Sequence, residues 1–245
     1  LSVASVRIAR ASSSVPMTIS GLAMLGRISR TRILGVEEPI ACAATTNSRL
    51  TSCWVVARDT ISLEELRRTE IAVPGTMTSA FLELRLALGD FPYRVMPFDE
   101  ILPAVRDGKV AAGLLIHEGQ LTYAQAGLTK VFDVGEWWWE TYHLPLPLGG
   151  NVVKRALGDK VIKDVAAILR DSIAYGLAHR DEAVRYSLQW ARDMGYELAD
   201  RFVGMYVNDL TLDYGPDGRR AVELLLDLAA ERRLIPRRPQ VVFVE

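Results

Sequence analysis

The sequence predicts an α/β protein made of two lobes. Short apolar runs of strand length alternate with helical periods between Ile71 and Ile116, a pattern typical of strands that are covered by helices on both faces. A proline-rich connector from Leu144 to Gly150 then separates this unit from a mainly helical remainder. The 245 residues, 49% of them apolar and 24% charged, are enough to bury a core. Two lobes joined by crossing segments form a cleft, which is a favoured site for a small molecule.

Composition limits the partners. The formal net charge of −1 argues against a nucleic-acid or membrane-surface protein, and no apolar run approaches the length that spans a bilayer. The two cysteines, Cys42 and Cys53, form neither a disulfide framework nor a metal-ligand pattern, so we expect a reducing, cytoplasmic compartment.

The first 53 residues differ from the rest. They contain no Phe, Trp, Tyr or Lys, and Glu37 and Glu38 are their only acids. Ile19 to Ile28 has helical spacing, and Gly35 to Ser52 is expected to be loop. An Arg- and Ser-rich start is compatible with a transit peptide, but it lacks the compact apolar core of a secretory signal. A damaged, truncated or partly misread N-terminus is the preferred interpretation.

The smaller lobe is predicted to span residues 58–150, with crossing segments near Trp54 to Arg58 and Leu144 to Asn151. Its elements follow from apolar period, capping residues and glycine stops. In order they are a helical turn Leu63–Leu66 capped by Ser62, a strand Ile71–Val73, a helix Thr78–Leu88 stopped by Gly89, a strand Tyr93–Met96, a helix capped by Asp99 and ending near Gly108, a strand Val110–Ile116, a strand Leu128–Val134 and a helix Glu136–Tyr142. A strand Trp54–Ala57, assigned to the larger lobe, precedes them.

The larger, discontinuous lobe is predicted to combine residues 1–57 and 151–245. Its C-terminal part is expected to be helical, because apolar residues recur at helical spacing. The predicted helices are Asp159–Leu177, Asp181–Met194, Ala199–Tyr206 and Asp217–Arg232, with a strand-like end at Val241–Val244.

The stretch from Leu114 to Tyr123 is the strongest candidate for a functional site. An apolar run there stops at a polar cluster that begins with His117, and Gly119 allows the backbone to turn. Ligands of parallel sheets bind beyond the carboxyl ends of the strands, and an imidazole near neutral pH is a suitable base. Spacing alone nevertheless favours an inert, hydrogen-bonded histidine at a strand end.

A second candidate lies between Pro74 and Ser79. Free N–H groups at a helix start, together with the hydroxyls of Thr78 and Ser79, could hold a carboxylate or phosphate; plain N-capping is an equally good explanation. Asn151 could reach a cleft with its amide, although a local turn bond is the simpler use. The sequence contains no glycine-rich nucleotide motif, no nucleophile elbow and no metal-ligand spacing.

Five motifs, taken together and in order, resemble the 1,4-dihydroxy-6-naphthoate synthase family of the futalosine route to menaquinone. They are Ala72–Ala80 (AVPGTMTSA), Pro97–Ile101 (PFDEI), Ile116–Tyr123 (IHEGQLTY), Gly135–Trp138 (GEWW) and Leu144–Asn151 (LPLPLGGN). The resemblance runs from about Trp54 to the C-terminus. It implies a two-lobed fold like that of the type II periplasmic binding proteins, used as an enzyme.

The resemblance also implies a reaction and its residues. The substrate would be cyclic dehypoxanthine futalosine, a small-molecule carboxylate, split without a cofactor into 1,4-dihydroxy-6-naphthoate and dihydroxyacetone. His117 falls on the family's proton acceptor, and this outweighs the inert interpretation of that histidine. Thr78 and Ser79 fall on its hydroxyl-bearing ligand contacts. Thr18 and Ser20 stand where the family has a Lys-Leu-Ser contact, with the lysine absent.

Three alternatives stay open at this stage. A solute-binding protein would have the same fold and no chemistry, although no secretory signal is evident. A chorismate-dehydrating sister enzyme shares the fold, but the His-Glu-Gly-Gln sequence points away from it. An inactive relic would follow from a damaged N-terminus, because the family's opening strand and loop have no counterpart in residues 1–15. The sequence makes no prediction of the oligomeric state.

Overall fold

The structure, a computed structural model, describes residues 45–46, 53–116, 119–190 and 195–244. Within these residues a five-stranded sheet contains β2 (Trp54–Ala57), β3 (Ile71–Val73), β4 (Tyr93–Val95), β5 (Ala112–Leu115) and β6 (Thr129–Asp133). The order of the strands in the sheet is β4-β3-β5-β2-β6. The three strands β4, β3 and β5 are parallel, whereas β2 runs antiparallel to both β5 and β6.

Helices cover both faces of this sheet. On one face, α2 (Ser79–Leu88) and α5 (Val134–Tyr142) pack against each other and on a cluster that includes Val55, Leu114 and Trp138. On the other face, α3 (Phe98–Arg106) packs on a second cluster that includes Val56, Ala72 and Leu115. Burial on both faces explains why β3 and β5 read as continuous apolar runs.

The remaining elements are short helices and the C-terminal helical region. The short helices are α1 (Leu63–Leu66) and α4 (Gly119–Thr122). The C-terminal region contains α6 (Asp159–Ala178), α7 (Arg180–Ser187), α8 (Tyr196–Tyr206), α9 (Asp209–Leu212) and α10 (Gly215–Glu231), with 3-10 turns at Arg155–Leu157 and Leu188–Trp190. Helix α10 packs on α2, and its Leu225 belongs to the cluster around Trp138. The C-terminal helix is therefore part of the main core.

Capping residues set several helix bounds as the sequence predicts. The Ser62 hydroxyl accepts from the Glu65 N–H at 3.2 Å at the start of α1, and Thr78 is the N-cap of α2. Gly89, with φ 81°, ends α2 in a conformation that side-chain-bearing residues rarely adopt. Helix α5 begins two residues earlier than predicted because the Asp133 carboxylate accepts from the N–H groups of Gly135 and Glu136.

Three predicted elements need correction. Asp99 is not a cap: Pro97 is the N-cap of α3, and Asp99 lies in its first turn. The connector contains a two-residue strand, β7 (Leu146–Pro147), paired antiparallel with β1 (Thr45–Thr46) despite its prolines. Val241–Val244 forms no strand, because its apolar alternation meets no partner strand in the described residues.

The division into lobes at residues 57 and 150 stays a prediction. Trp54–Ala57, assigned to the larger lobe, lies within the sheet of the smaller one, between β5 and β6. The predicted helix Ile19–Ile28 lies outside the described residues.

Candidate functional site

The carboxyl ends of the three parallel strands meet at one edge of the sheet. In register, Ile71 of β3 pairs with Tyr93 of β4 and with Ala112 of β5, so the chain leaves all three strands on the same side. The segment Pro74–Thr78 leads from β3 into α2, and residues 116–118 lead from β5 into α4. The two sequence-predicted candidate regions therefore follow neighbouring strands at one edge, where α/β sheets bind ligands.

The start of α2 is held by its two hydroxyl residues. The Thr78 hydroxyl donates to the Gly75 carbonyl at 2.9 Å and accepts from the Phe81 N–H at 3.2 Å, which is N-capping. The Ser79 hydroxyl donates to the Leu148 carbonyl of the connector at 2.5 Å. Both hydroxyl protons are thus used within the protein. A ligand at this helix start would meet the oxygen lone pairs and the N–H groups of the first turn.

Ile116 and Gln120, which flank residues 117–118 in the chain, are held by hydrogen bonds. His117 itself, like Glu118, lies outside the described residues. Gln120, which follows it in α4, is 1% exposed, and its Nε2 donates to the Leu115 carbonyl at 3.0 Å. The Tyr206 hydroxyl at the end of α8 lies 3.2 Å from Gln120 Oε1 and 3.4 Å from the Ile116 carbonyl oxygen. The C-terminal helices therefore reach the edge where β5 ends.

The other predicted ligand residues are only partly placed. Asn151 is half-buried and follows the connector whose Leu148 carbonyl meets Ser79. Thr18 and Ser20 lie outside the described residues, so the structure does not bring them to the site.

Gln120 and Tyr206 are the functional candidates that the sequence reasoning passed over. Gln120 lies inside the quoted His-Glu-Gly-Gln motif, so its position was available. Tyr206 was predicted only as a helix end. Its partners Gln120 and Ile116 lie 86 and 90 positions earlier in the chain, so no local sequence pattern indicates the contact.

A buried acid, Glu83, lies in the middle of α2. Glu83 is fully buried, and its Oε2 accepts from the Cys53 thiol at 3.5 Å. Loss of solvation on burial raises the pKa of Glu83 from 4.5 to about 8, and the bond from Cys53 partly opposes that rise. Burial, with the nearby Glu83, raises the pKa of Cys53 well above its ordinary value, so Cys53 stays a thiol near neutral pH. Cys53 is therefore an inert core residue.

Other possible sites are less informative. A cavity of about 210 Å³ lies between the end of α5 and the start of α10, beside Trp139, His143, Tyr214 and Asp217, and it shares no residue with the predicted site. Within the described ranges, no group of His, Cys, Asp and Glu is arranged to hold a metal ion. No helix in that same part of the chain combines the length and apolar character of a membrane span.

Comparison with known structures defines the class of protein first. The chain resembles the ligand-binding component of an ABC-type import system from Staphylococcus aureus, with a TM-score of 0.57, 15% identity, and coverage of 91% of this chain and 76% of that one. Sulfonate-binding proteins share the likeness. At this identity the comparison concerns the fold alone. It is the two-lobed α/β fold of the type II periplasmic binding proteins, as expected from the sequence.

Closer relatives define the family. Residues 39–231 match the family model described as menaquinone biosynthesis. A curated 1,4-dihydroxy-6-naphthoate synthase from Thermus thermophilus is 43% identical over 78% of this chain and 69% of its own length, and one from Streptomyces coelicolor is 40% identical over 70% and 63%. A protein of known crystal structure from Archaeoglobus fulgidus is 41% identical, with a TM-score of 0.73 over 83% of this chain and 74% of that one. The chain belongs to this menaquinone biosynthesis family.

Proposed function

We propose that this protein is a carbon–carbon lyase that converts cyclic dehypoxanthine futalosine to 1,4-dihydroxy-6-naphthoate and dihydroxyacetone. His117 is the general base in this proposal. The observation that carries it is the family membership together with the identity of two relatives named 1,4-dihydroxy-6-naphthoate synthase. The reaction takes place in the cytoplasm.

The geometry of the sheet supports a site at this edge. Residue 117 comes two positions after the end of β5 in the sequence, and the start of α2 follows β3, the neighbouring parallel strand. A substrate that spans these two adjacent strand ends would therefore lie beside Ile116, which precedes His117 in the chain, and beside the first turn of α2. The N–H groups of that turn carry partial positive charge, which suits the carboxylate of the substrate.

The remaining assigned contacts are hydroxyl and amide groups. Thr78 and Ser79 offer oxygen lone pairs at the start of α2, and Asn151 follows the connector that Ser79 holds through the Leu148 carbonyl. Thr18 and Ser20 complete the proposed binding set from the N-terminal part of the chain.

The chemistry fits a base without a cofactor. A neutral imidazole accepts a proton from the bound substrate near pH 7, the carbon–carbon bond to the three-carbon fragment breaks, and the proton returns to that departing fragment. Atoms and electrons balance without an oxidant or a reductant. The protein's contribution is to hold the base and the substrate in a fixed orientation.

The test is product formation from cyclic dehypoxanthine futalosine, followed by chromatography of the naphthoate. His117→Ala should lower turnover by roughly 10²- to 10⁴-fold, the usual share of a general base. His179→Ala is the matched control, because His179 is an exposed histidine that stacks on Tyr175 at the end of α6. Loss of naphthoate in His117→Ala alone supports the base, and equal product from both variants rejects it.

A solute-binding function is the second candidate. The fold likeness to the ligand-binding component of an import system favours it. It predicts that the wild-type protein binds a small carboxylate tightly and releases it unchanged. Recovery of intact substrate from a saturated wild-type sample, with no naphthoate formed, would favour this function over the lyase.

A further inference from the structure

We propose that Tyr206 is a positioning residue that orients His117 through the backbone on either side of it. The inference rests on the proposed function for its catalytic meaning. The structural part concerns only the contacts of Tyr206 with Ile116 and Gln120, which flank His117 in the chain. Neither the family match nor the resemblance assigns a role to Tyr206.

The first step of the argument is the contact itself. The Tyr206 hydroxyl lies within 3.4 Å of two acceptors, Gln120 Oε1 and the Ile116 carbonyl oxygen. The bond from Gln120 Nε2 to the Leu115 carbonyl fixes which end of the amide faces Tyr206. One hydroxyl thus contacts the residue before His117 and the third residue after it.

The second step is that Gln120 is itself immobilised. Its side chain is 1% exposed, and the backbone at the start of α4 is tightly packed. A Cβ added at Gly119 would lie 3.2 Å from Leu102 Cδ1 and 3.5 Å from Leu115 Cδ1. Helix α4 therefore begins in close contact with its surroundings, and a displacement of Gln120 would disturb that packing.

The third step is that Tyr206 is held from the C-terminal side. Tyr206 is the last residue of α8, and its carbonyl accepts from the Thr211 hydroxyl at 3.1 Å. That same Thr211 oxygen accepts from the Asn208 N–H, while the Asn208 side chain caps α9. The Tyr206 ring also packs on Phe202, with ring centroids 4.9 Å apart. A local capping box therefore fixes the end of α8 from which the hydroxyl projects.

The consequence is a polar link between the C-terminal helices and the strand end that carries His117. The bonds at Leu115, Ile116 and Gln120 hold the described residues that precede and follow His117 in the chain. A base needs a defined orientation toward the proton that it accepts, and a small misplacement lowers the rate. Removing the Tyr206 hydroxyl should therefore disturb the orientation of His117 without opening the core.

The direct test is NMR of protein labelled at the histidine rings, because it does not require turnover. The chain has three histidines, and His117→Ala assigns the His117 signal. Tyr206→Phe should shift or broaden the His117 ring signal and leave those of His143 and His179 in place. Tyr196→Phe is the matched control: Tyr196 begins the same helix, and its hydroxyl bonds to Asp181 at 2.7 Å, away from this site. It should leave the His117 signal unchanged.

The second measurement is kinetic. Tyr206→Phe should lower kcat by roughly 3- to 30-fold with a small change in KM, since the hydroxyl positions the base and does not bind substrate. Gln120→Met removes the acceptor Oε1 and leaves Tyr206 intact, so it should affect the His117 signal in the same direction. This variant replaces Tyr206→Phe in the experiment if Tyr206→Phe does not fold.

The outcomes separate the two proposals. If the His117 signal in both Tyr206→Phe and Gln120→Met coincides with that of the wild type, the positioning role is wrong, whatever the activity. If the wild-type protein forms no naphthoate but Tyr206→Phe still displaces the His117 signal, the proposed function fails and the structural link stands.

Discussion

The replacement Glu83→Gln tests the buried acid of α2. Glu83 is fully buried in the core, with the Cys53 thiol as its partner, and Oε1 has no hydrogen-bond partner within the described residues. The glutamine side chain has nearly the same shape, can still accept from Cys53, and carries no titratable proton. The variant should therefore remove a pH-dependent part of the free energy of unfolding.

The expected magnitude follows from the pKa. In the folded protein the pKa of Glu83 is about 8, against an ordinary value of 4.5. Between those values the unfolded chain releases the proton while the folded protein keeps it, so the free energy of unfolding falls as pH rises, by about 1.4 kcal/mol per pH unit. The contribution is complete below pH 4.5 and is lost by about pH 8. The whole loss is on the order of 4–5 kcal/mol, an upper value because relaxation around a buried charge reduces it.

Urea unfolding of the wild-type protein and Glu83→Gln, followed by circular dichroism at several pH values from 5 to 8, measures this difference. The variant should gain stability relative to the wild type as pH rises; its added N–H donors carry a pH-independent cost of about 1–3 kcal/mol. Glu64→Gln is the control, because Glu64 is an exposed acid paired with Arg68. Parallel stability curves for the wild type and Glu83→Gln would refute the raised pKa of Glu83.

Two further predictions concern the core. Gly113→Ala should lower the free energy of unfolding by about 1–3 kcal/mol in urea titrations, because the new Cβ would lie 2.5 Å from Ile101 Cγ2; Gly195→Ala has open space and should lack this overpacking cost. Trp138→Ala should cost about 3–5 kcal/mol, since Trp138 is 0% exposed, whereas Trp139→Ala should cost clearly less at its half-buried position; equal losses in thermal melts would contradict this assignment of the buried face.

Local sequence pattern predicted much of the sheet. Ile71–Val73 and the core of Val110–Ile116 were readable because strands buried on both faces are continuously apolar. The direction of strand pairing was harder to predict from the sequence. The apolar run Trp54–Ala57 is equally compatible with a parallel or an antiparallel neighbour, and in the structure it is antiparallel to β5 and β6. Direction in a sheet depends on partners that lie far away in sequence.

Helix capping and edge-strand pairing show a second limit of prediction from the sequence. Asp99 has a favourable side chain for an N-cap, yet the helix begins at Phe98, because Pro97 already supplies an extended conformation before it. Leu146–Pro147 forms a two-residue strand although prolines weaken ladders, since so short a pairing at an edge loses few hydrogen bonds. Propensity describes a residue's average preference, and the neighbouring chain determines the outcome.

The candidate site could likewise be predicted only in part from the sequence. The position after β5 is a candidate because an apolar run stops there at polar residues, and the position after β3 is a candidate because a helix start with two hydroxyl residues follows it. The parallel pairing of these strands brings their carboxyl ends to one edge. The roles of Ser79 and Tyr206 within the fold could not be predicted, because their partners, Leu148 and Gln120, lie 69 and 86 residues away.

Different forces hold the fold and orient the site. Apolar packing holds α10 on the sheet, since Leu225 lies in the cluster with Trp138. At the strand ends, by contrast, hydrogen bonds from the hydroxyls of Ser79 and Tyr206 reach distant parts of the chain. A net hydrogen bond stabilises a fold by only about 1 kcal/mol, a small share of a total of about 5–15 kcal/mol. Loss of either hydroxyl should therefore leave the protein folded and change how the site is positioned, so stability and activity can be varied separately in this molecule.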